Sequence, residues 1–105
     1  MAQIIWTESA LSDLNAIAEY IALDKPDAAR SLVKQVFSSA DNLEQFPELG
    51  RIPPELKLSK YREIIVDPCR IFYRIDQDKV YILYVMRGEM RLRRYLINER
   101  AKSND

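Results

Sequence analysis

The 105-residue sequence contains no histidine, one cysteine and two glycines. Without histidine, zinc sites of the usual Cys/His kind are excluded, and no imidazole can activate a thiol. Cys69 has no partner for an intramolecular disulfide and reads as a small, half-buried residue. Gly50 and Gly88 do not form a phosphate-cradling loop. A charge of one sign is also missing, since Lys+Arg 16 balances Asp+Glu 16, whereas a nucleic-acid binder ordinarily carries a basic excess. No apolar run approaches the roughly 18 residues of a membrane span. Met1–Trp6 lacks the basic and apolar regions of a signal peptide. These absences predict a cytoplasmic protein with no membrane partner, no metal and no cofactor. Asp67 and Asp76 read as turn residues without metal-ligand spacing.

What is present is a core. Hydrophobic residues make up 48% and aromatics 10% of the chain, enough for one folded domain over residues 1–105 and too much for a disordered one. Residues 3–6 are β-prone. Thr7 suits a helix N-cap with Glu8 in the first turn, and Leu11, Leu14, Ile17 or Ala18, and Ile21 predict an amphipathic helix over about 8–23. After the Asp24–Asp27 turn, Pro26 fits the first position of a second helix. Its stripe runs through Ala29, Leu32, Val33, Val36, Phe37, Ala40 and Leu43, until Phe46-Pro47 stops it. Residues 47–60 read as a loop.

From Tyr61 the period changes. Tyr61–Val66, Arg70–Ile75 and Lys79–Met86 predict three strands joined by Asp67-Pro68 and Asp76-Gln77-Asp78. The fold class is therefore α+β: a helical hairpin packed on an antiparallel meander in two layers. In the last strand, alternation places Tyr81, Leu83 and Val85 on one face and Ile82, Tyr84 and Met86 on the other. With both faces apolar, the strand is central or one face is covered by something else. Residues 89–101 form a possible short helix. Trp6, Tyr20, Phe37, Phe46 and Phe72 are expected in the core, and Tyr61, Tyr73, Tyr81 and Tyr84 at packed or partner-facing sheet positions. Arg70 and Arg74 share a face; Arg70 is either functional or a satisfied ion pair, and Arg51 is expected to pair with a nearby carboxylate.

The balanced charge is unevenly placed. Residues 1–60 hold nine acids and six bases, net −3, and residues 61–105 hold seven acids and ten bases, net +3. Within 87–102, five arginines and Lys102 face only Glu89 and Glu99, net +4. Arginine suits bidentate contact with phosphate or carboxylate, so this end is expected to meet an anionic partner.

Together, Asp13-Leu14…Ile17…Tyr20-Ile21, Phe46-Pro47…Gly50-Arg51, Tyr61-Arg62-Glu63, Arg70-Ile71-Phe72-Tyr73-Arg74-Ile75 and Arg87-Gly88 resemble the RelE/ParE superfamily of bacterial type II toxins, over nearly the whole chain. The resemblance implies a β-α-α-β-β-β toxin fold, growth inhibition, and neutralisation by a cognate antitoxin in a hetero-oligomer. That antitoxin would cover one sheet face and pack along the helical hairpin; Tyr81, Leu83, Tyr84 and Val85 are the residues expected to meet it. RelE-like members cut ribosome-bound mRNA, which needs a proton acceptor, cations for the phosphorane and a donor for the leaving oxygen. Arg62, Arg70 and Arg91 would be the cations and Tyr95 the stacking or proton-transfer group. Ile64 replaces a lysine of that constellation, and arginine is a poor base. ParE-like members poison DNA gyrase without a catalytic constellation. The neutral total favours this branch, with Arg87, Arg91, Arg93 and Arg94 as contacts to gyrase or its DNA; the alternative is a RelE-like ribosome-dependent endoribonuclease.

Overall fold

A computed structural model describes residues 1–57 and 60–103. The elements are β1 (Gln3–Trp6), α1 (Glu8–Ala22), α2 (Pro26–Asp41), β2 (Tyr61–Val66), β3 (Cys69–Asp76), β4 (Lys79–Arg87) and α3 (Arg94–Ser103). Single 3-10 turns occupy Asn42–Glu44, Pro47–Leu49 and Pro54–Leu56. The sheet order is β1-β4-β3-β2, with β1 parallel to β4 and the remaining pairs antiparallel. The α+β class and the helical hairpin on the sheet are as expected; the sheet is mixed rather than purely antiparallel because β1 joins β4 in parallel, and the terminal helix is present as α3, on the sheet face opposite the hairpin.

Thr7 ties the first elements together. Its hydroxyl accepts from Ala10 N–H at 3.2 Å to cap α1 and donates to the Ile82 carbonyl at 2.8 Å. One side chain thus starts a helix and pins it to β4. Helix α2 stops at Asp41, earlier than Phe46-Pro47 suggested, because the chain tightens into the Asn42–Glu44 turn. Leu43 still reaches the core from that turn.

The hairpin-side core unites Leu14, Leu32, Val36 and Leu43 with Ile71, Tyr73, Val80, Ile82 and Val85. Trp6 and Phe37, half-buried, meet at its edge with ring centroids 4.8 Å apart. Three expected core residues lie outside: Tyr20 is 63% exposed, Phe46 61% and Leu11 40%. Tyr20 is held instead by the Arg87 guanidinium over its ring, and Phe46 leaves the stripe because α2 has already ended. Cys69 is fully buried, and burial raises its thiol pKa.

A second core on the opposite sheet face contains Tyr61, Phe72, Leu83 and Met86 under Leu92, Ile97 and Ala101. The chain's own C-terminal segment supplies the cover that the two apolar faces required. Strict alternation along β4 fails. Phe72 pairs with Tyr84 and Tyr73 with Ile82, so Leu83 is an extra residue in a β-bulge. The bulge re-aims everything beyond it. Leu83 joins Tyr81, Tyr84 and Met86 on the α3 face, whereas Val85 joins Ile82 under the hairpin.

No helix among the described residues is long and apolar enough to cross a membrane.

Candidate functional site

Sheet register decides which predicted residues meet. The β2–β3 hairpin turns in two residues, so Arg62 lies opposite Tyr73 and Arg70 opposite Ile65. Arg62 therefore sits on the hairpin face and Arg70 on the other. Arg62 donates to the Gly50 carbonyl at 2.8 Å and the Glu48 carbonyl at 3.3 Å, holding the 47–50 turn. Tyr73 completes that anchor: its buried hydroxyl accepts from Gly50 N–H at 2.9 Å and donates to the Pro47 carbonyl at 2.7 Å. Burial raises the pKa of this phenol.

On the opposite face, Arg70 is clamped between two carboxylates. Its Nε and Nη2 donate to Glu63 at 2.6 and 3.0 Å. Its Nη1 and Nη2 donate to Glu55 at 2.7 and 2.8 Å. The guanidinium also lies 5.0 Å from the Phe72 ring centroid. Glu63, with no exposed side-chain surface, receives a further bond from Arg51 Nε at 2.9 Å. The expected Arg51 ion pair is this one. Backbone bonds between Arg51 and Glu63 lay the loop along β2. Arg70 raises its own basicity by pairing and holds the Glu55 carboxyl down at about 2. Arg74 shares the Arg70 face and covers the Tyr81 ring at 4.9 Å.

Arg91, Arg93, Arg94 and Tyr95 do come together. With Glu55, Glu89 and neighbouring residues they line an open cleft of about 830 Å³. All four are exposed, while Leu92 between them anchors the segment. Arg87 lines a neighbouring pocket of about 310 Å³ together with Arg91 and Arg93; it pairs with Glu89 at 2.6 Å and lies 5.3 Å from the Tyr20 ring centroid. Of the four residues expected to meet an antitoxin, Leu83 and Val85 are buried, at 0% and 2% exposure; Tyr81 and Tyr84 keep partial exposure. The bulge and the α3 cover explain the difference.

Two acidic partners escaped the sequence reading. Glu63, a carboxylate within an apolar strand, carried a signal, because such a charge must be paired. Glu55 carried none, since only the fold of the 47–60 loop brings it to Arg70. Among the described residues, no group of three or more His, Cys, Asp or Glu side chains is placed to hold a metal.

A four-stranded sheet under a helical hairpin, with an arginine-rich end beside a closed ion-pair network, is an arrangement shared with bacterial toxins. Residues 4–92 match the family described as the ParE toxin of the type II toxin–antitoxin system, parDE, and the chain belongs to that family. It is 37% identical over 86 residues to Toxin RelE2 of Caulobacter vibrioides, covering 81% of this chain and 93% of that protein. Its fold resembles a structure of the chromosomal ParDE system from P. aeruginosa, with TM-score 0.72, 24% identity, and coverage of 85% and 98%. It also resembles the toxin–antitoxin complex RelBE2 from Mycobacterium tuberculosis, with TM-score 0.55, 23% identity, and coverage of 82% and 96%. The protein is a type II toxin of the RelE/ParE superfamily.

Proposed function

We propose that this toxin inhibits growth by binding DNA gyrase and that a cognate antitoxin neutralises it. The observation supporting a binding poison is the state of Arg62 and Arg70, two of the three cations that the nuclease reading requires. Arg62 and Arg70 stand on opposite faces of the sheet, and Arg70 spends its donors on Glu55 and Glu63. Phosphoryl-transfer catalysis needs cations converging on one phosphate. Arg91, Arg93 and Arg94 are the target contacts, with Arg87 bracing their segment through Glu89. The antitoxin packs along the helical hairpin, where Ala18, Ala22, Ala29 and Val33 line an apolar groove of about 340 Å³. Tyr81 and Tyr84 are its contacts on the sheet.

Induction in cells tests the reading. Gyrase poisoning gives DNA breaks and a damage response with intact mRNA. The variant carrying Arg91→Ala, Arg93→Ala and Arg94→Ala loses toxicity by about tenfold or more, as expected when several phosphate or carboxylate contacts go, yet keeps its melting temperature. Codon-specific mRNA cleavage abolished by Arg70→Ala would overturn it. The second reading, a ribosome-dependent endoribonuclease, is favoured by one arrangement: Arg91 and Tyr95 line the cleft that Glu55 also lines, with Arg70 directly behind.

A further inference from the structure

The pocket of about 310 Å³ between α1 and the end of β4 differs in kind from the arginine cleft beside it. Its apolar wall is Ala16 and Ile17 of α1, Met86 of β4, and Met90 of the turn that follows. Ala16 and Met90 are exposed, Met90 at 57%, so this wall is open to a partner. Methionine adapts to what it meets, which suits a surface receiving an apolar side chain. Arg91 and Arg93, both exposed, line the same pocket. Asp13 is the one acid among the described lining residues, and it is already engaged. Its carboxylate accepts from Val85 N–H at 3.0 Å and pairs with Arg100 at 2.6 Å. Arg87 is likewise held by Glu89. Among the described residues no carboxylate pairs with Arg91 or Arg93, so two unopposed charges stand beside an apolar wall.

The aromatic rings here are engaged as well. Tyr84 lies between the Arg100 guanidinium at 4.6 Å and Phe72 at 5.9 Å, and Arg87 covers Tyr20 at 5.3 Å. Single-stranded nucleic acid draws affinity from stacking as well as from charge, and this pocket supplies charge and aliphatic surface instead. We propose that it seats a protein segment of the toxin's target. One large apolar side chain enters between α1 and Met90, and flanking Asp or Glu side chains meet Arg91 and Arg93. Each guanidinium takes a carboxylate in a bidentate fork, so the apolar anchor supplies affinity while the carboxylates fix its register. The groove assigned to the antitoxin uses another stripe of α1, Ala18 and Ala22, and shares no residue with this pocket, which leaves it to the target. The proposal rests on the reading that the arginine-rich end meets gyrase, and it assigns that contact to protein rather than to DNA.

The experiment follows fluorescence anisotropy of two labelled synthetic peptides titrated with the full-length chain. One carries a single leucine between short runs of Asp and Glu; the other replaces that leucine with serine at equal charge. Wild type is expected to bind the leucine peptide about tenfold more tightly, the scale of burying one such side chain. Met90→Lys adds a cation but removes apolar wall, at a position exposed enough to spare the fold. It is expected to abolish the leucine preference while binding the serine peptide at least as tightly as wild type does. Equal binding of both peptides by wild type would overturn the proposal, and so would a preference that survives Met90→Lys. A single-stranded oligonucleotide that Met90→Lys weakens would also overturn it, because an added cation strengthens phosphate contacts. The leucine peptide is further expected to compete with purified, DNA-free gyrase for the toxin. If gyrase binds and the peptide leaves it in place, the pocket is not the target's and the proposal falls. If gyrase does not bind at all, the gyrase reading falls, and the two peptides alone decide the pocket.

Discussion

At the scale of single residues, buried ion pairs and close contacts hold the 47–51 turn against β2. Glu63 is 1% exposed and neutralised by Arg51 and Arg70. Removing one member of a buried ionic set leaves the others uncompensated, at a cost of about 3–5 kcal/mol. Glu63→Leu is therefore expected to lower stability by about that amount in chemical denaturation; a loss below about 1 kcal/mol would contradict the account. Gly50 is required by space rather than by backbone angle, its φ being −71°. An added Cβ would stand 2.6 Å from the Glu63 carbonyl oxygen and 2.6 Å from the Tyr73 hydroxyl. Gly50→Ala is expected to cost about 1–3 kcal/mol through that overlap, read as a lower melting temperature. Arg70 illustrates what residue identity leaves open. An arginine in an apolar strand is either a working cation or a paired one, and only its neighbours decide.

At the scale of elements, the bulge in β4 is the main departure from pattern. A bulge frees backbone groups that a regular ladder would satisfy. Here Asp13 of α1 accepts from Val85 N–H at 3.0 Å, and Arg100 of α3 donates to the Leu83 carbonyl at 3.2 Å. Asp13 and Arg100 also pair at 2.6 Å, and Arg100 lies over the Tyr84 ring at 4.6 Å. The clamp joins α1, β4 and α3 and so fixes the arginine segment that leads into α3. Arg100→Met is expected to raise amide exchange across 94–103 by about tenfold or more while β3 stays protected, as follows from losing charge-assisted bonds. Unchanged exchange there would show that Ile97 and Ala101 alone dock the helix. The extent of β2, β3 and α1 was legible because apolar spacing follows local geometry. The bulge was not, since its partners are 72 and 17 residues away along the chain.

At the scale of the whole molecule, electrostatics are neutral in sum and divided in space. The excess of acid lies in residues 1–60 and the excess of base in 61–105, and the loop carrying Glu55 brings one to the other. This gives an acid dependence with a definite sign. Glu55 has a folded pKa of about 2 against an ordinary 4.5, chiefly through its bonds to Arg70. A depressed folded pKa stabilises the native state fully above the unfolded value, and that contribution disappears as pH falls through the folded one. The melting-temperature advantage of wild type over Glu55→Gln is thus expected to be constant above pH 4.5 and to shrink from there to about pH 2. A gap that widened on acidification would exclude the ion pair as its cause.

By itself, the sequence determined the α+β class, the helical hairpin, the strand ranges and the concentration of arginine near the C-terminal end. Each follows from short-range periodicity, from proline and turn positions, or from simple counting. The resemblance to the RelE/ParE superfamily rested on the same local segments. Only the tertiary structure decided which residues stand together. The two-residue β2–β3 turn separates Arg62 from Arg70, and the bulge moves Val85 beneath the hairpin while α3 covers Leu83. The folded loop delivers Glu55 to Arg70. The reason is physical: a side chain's face and partner depend on strand register and loop return, both set by contacts between residues far apart in the chain.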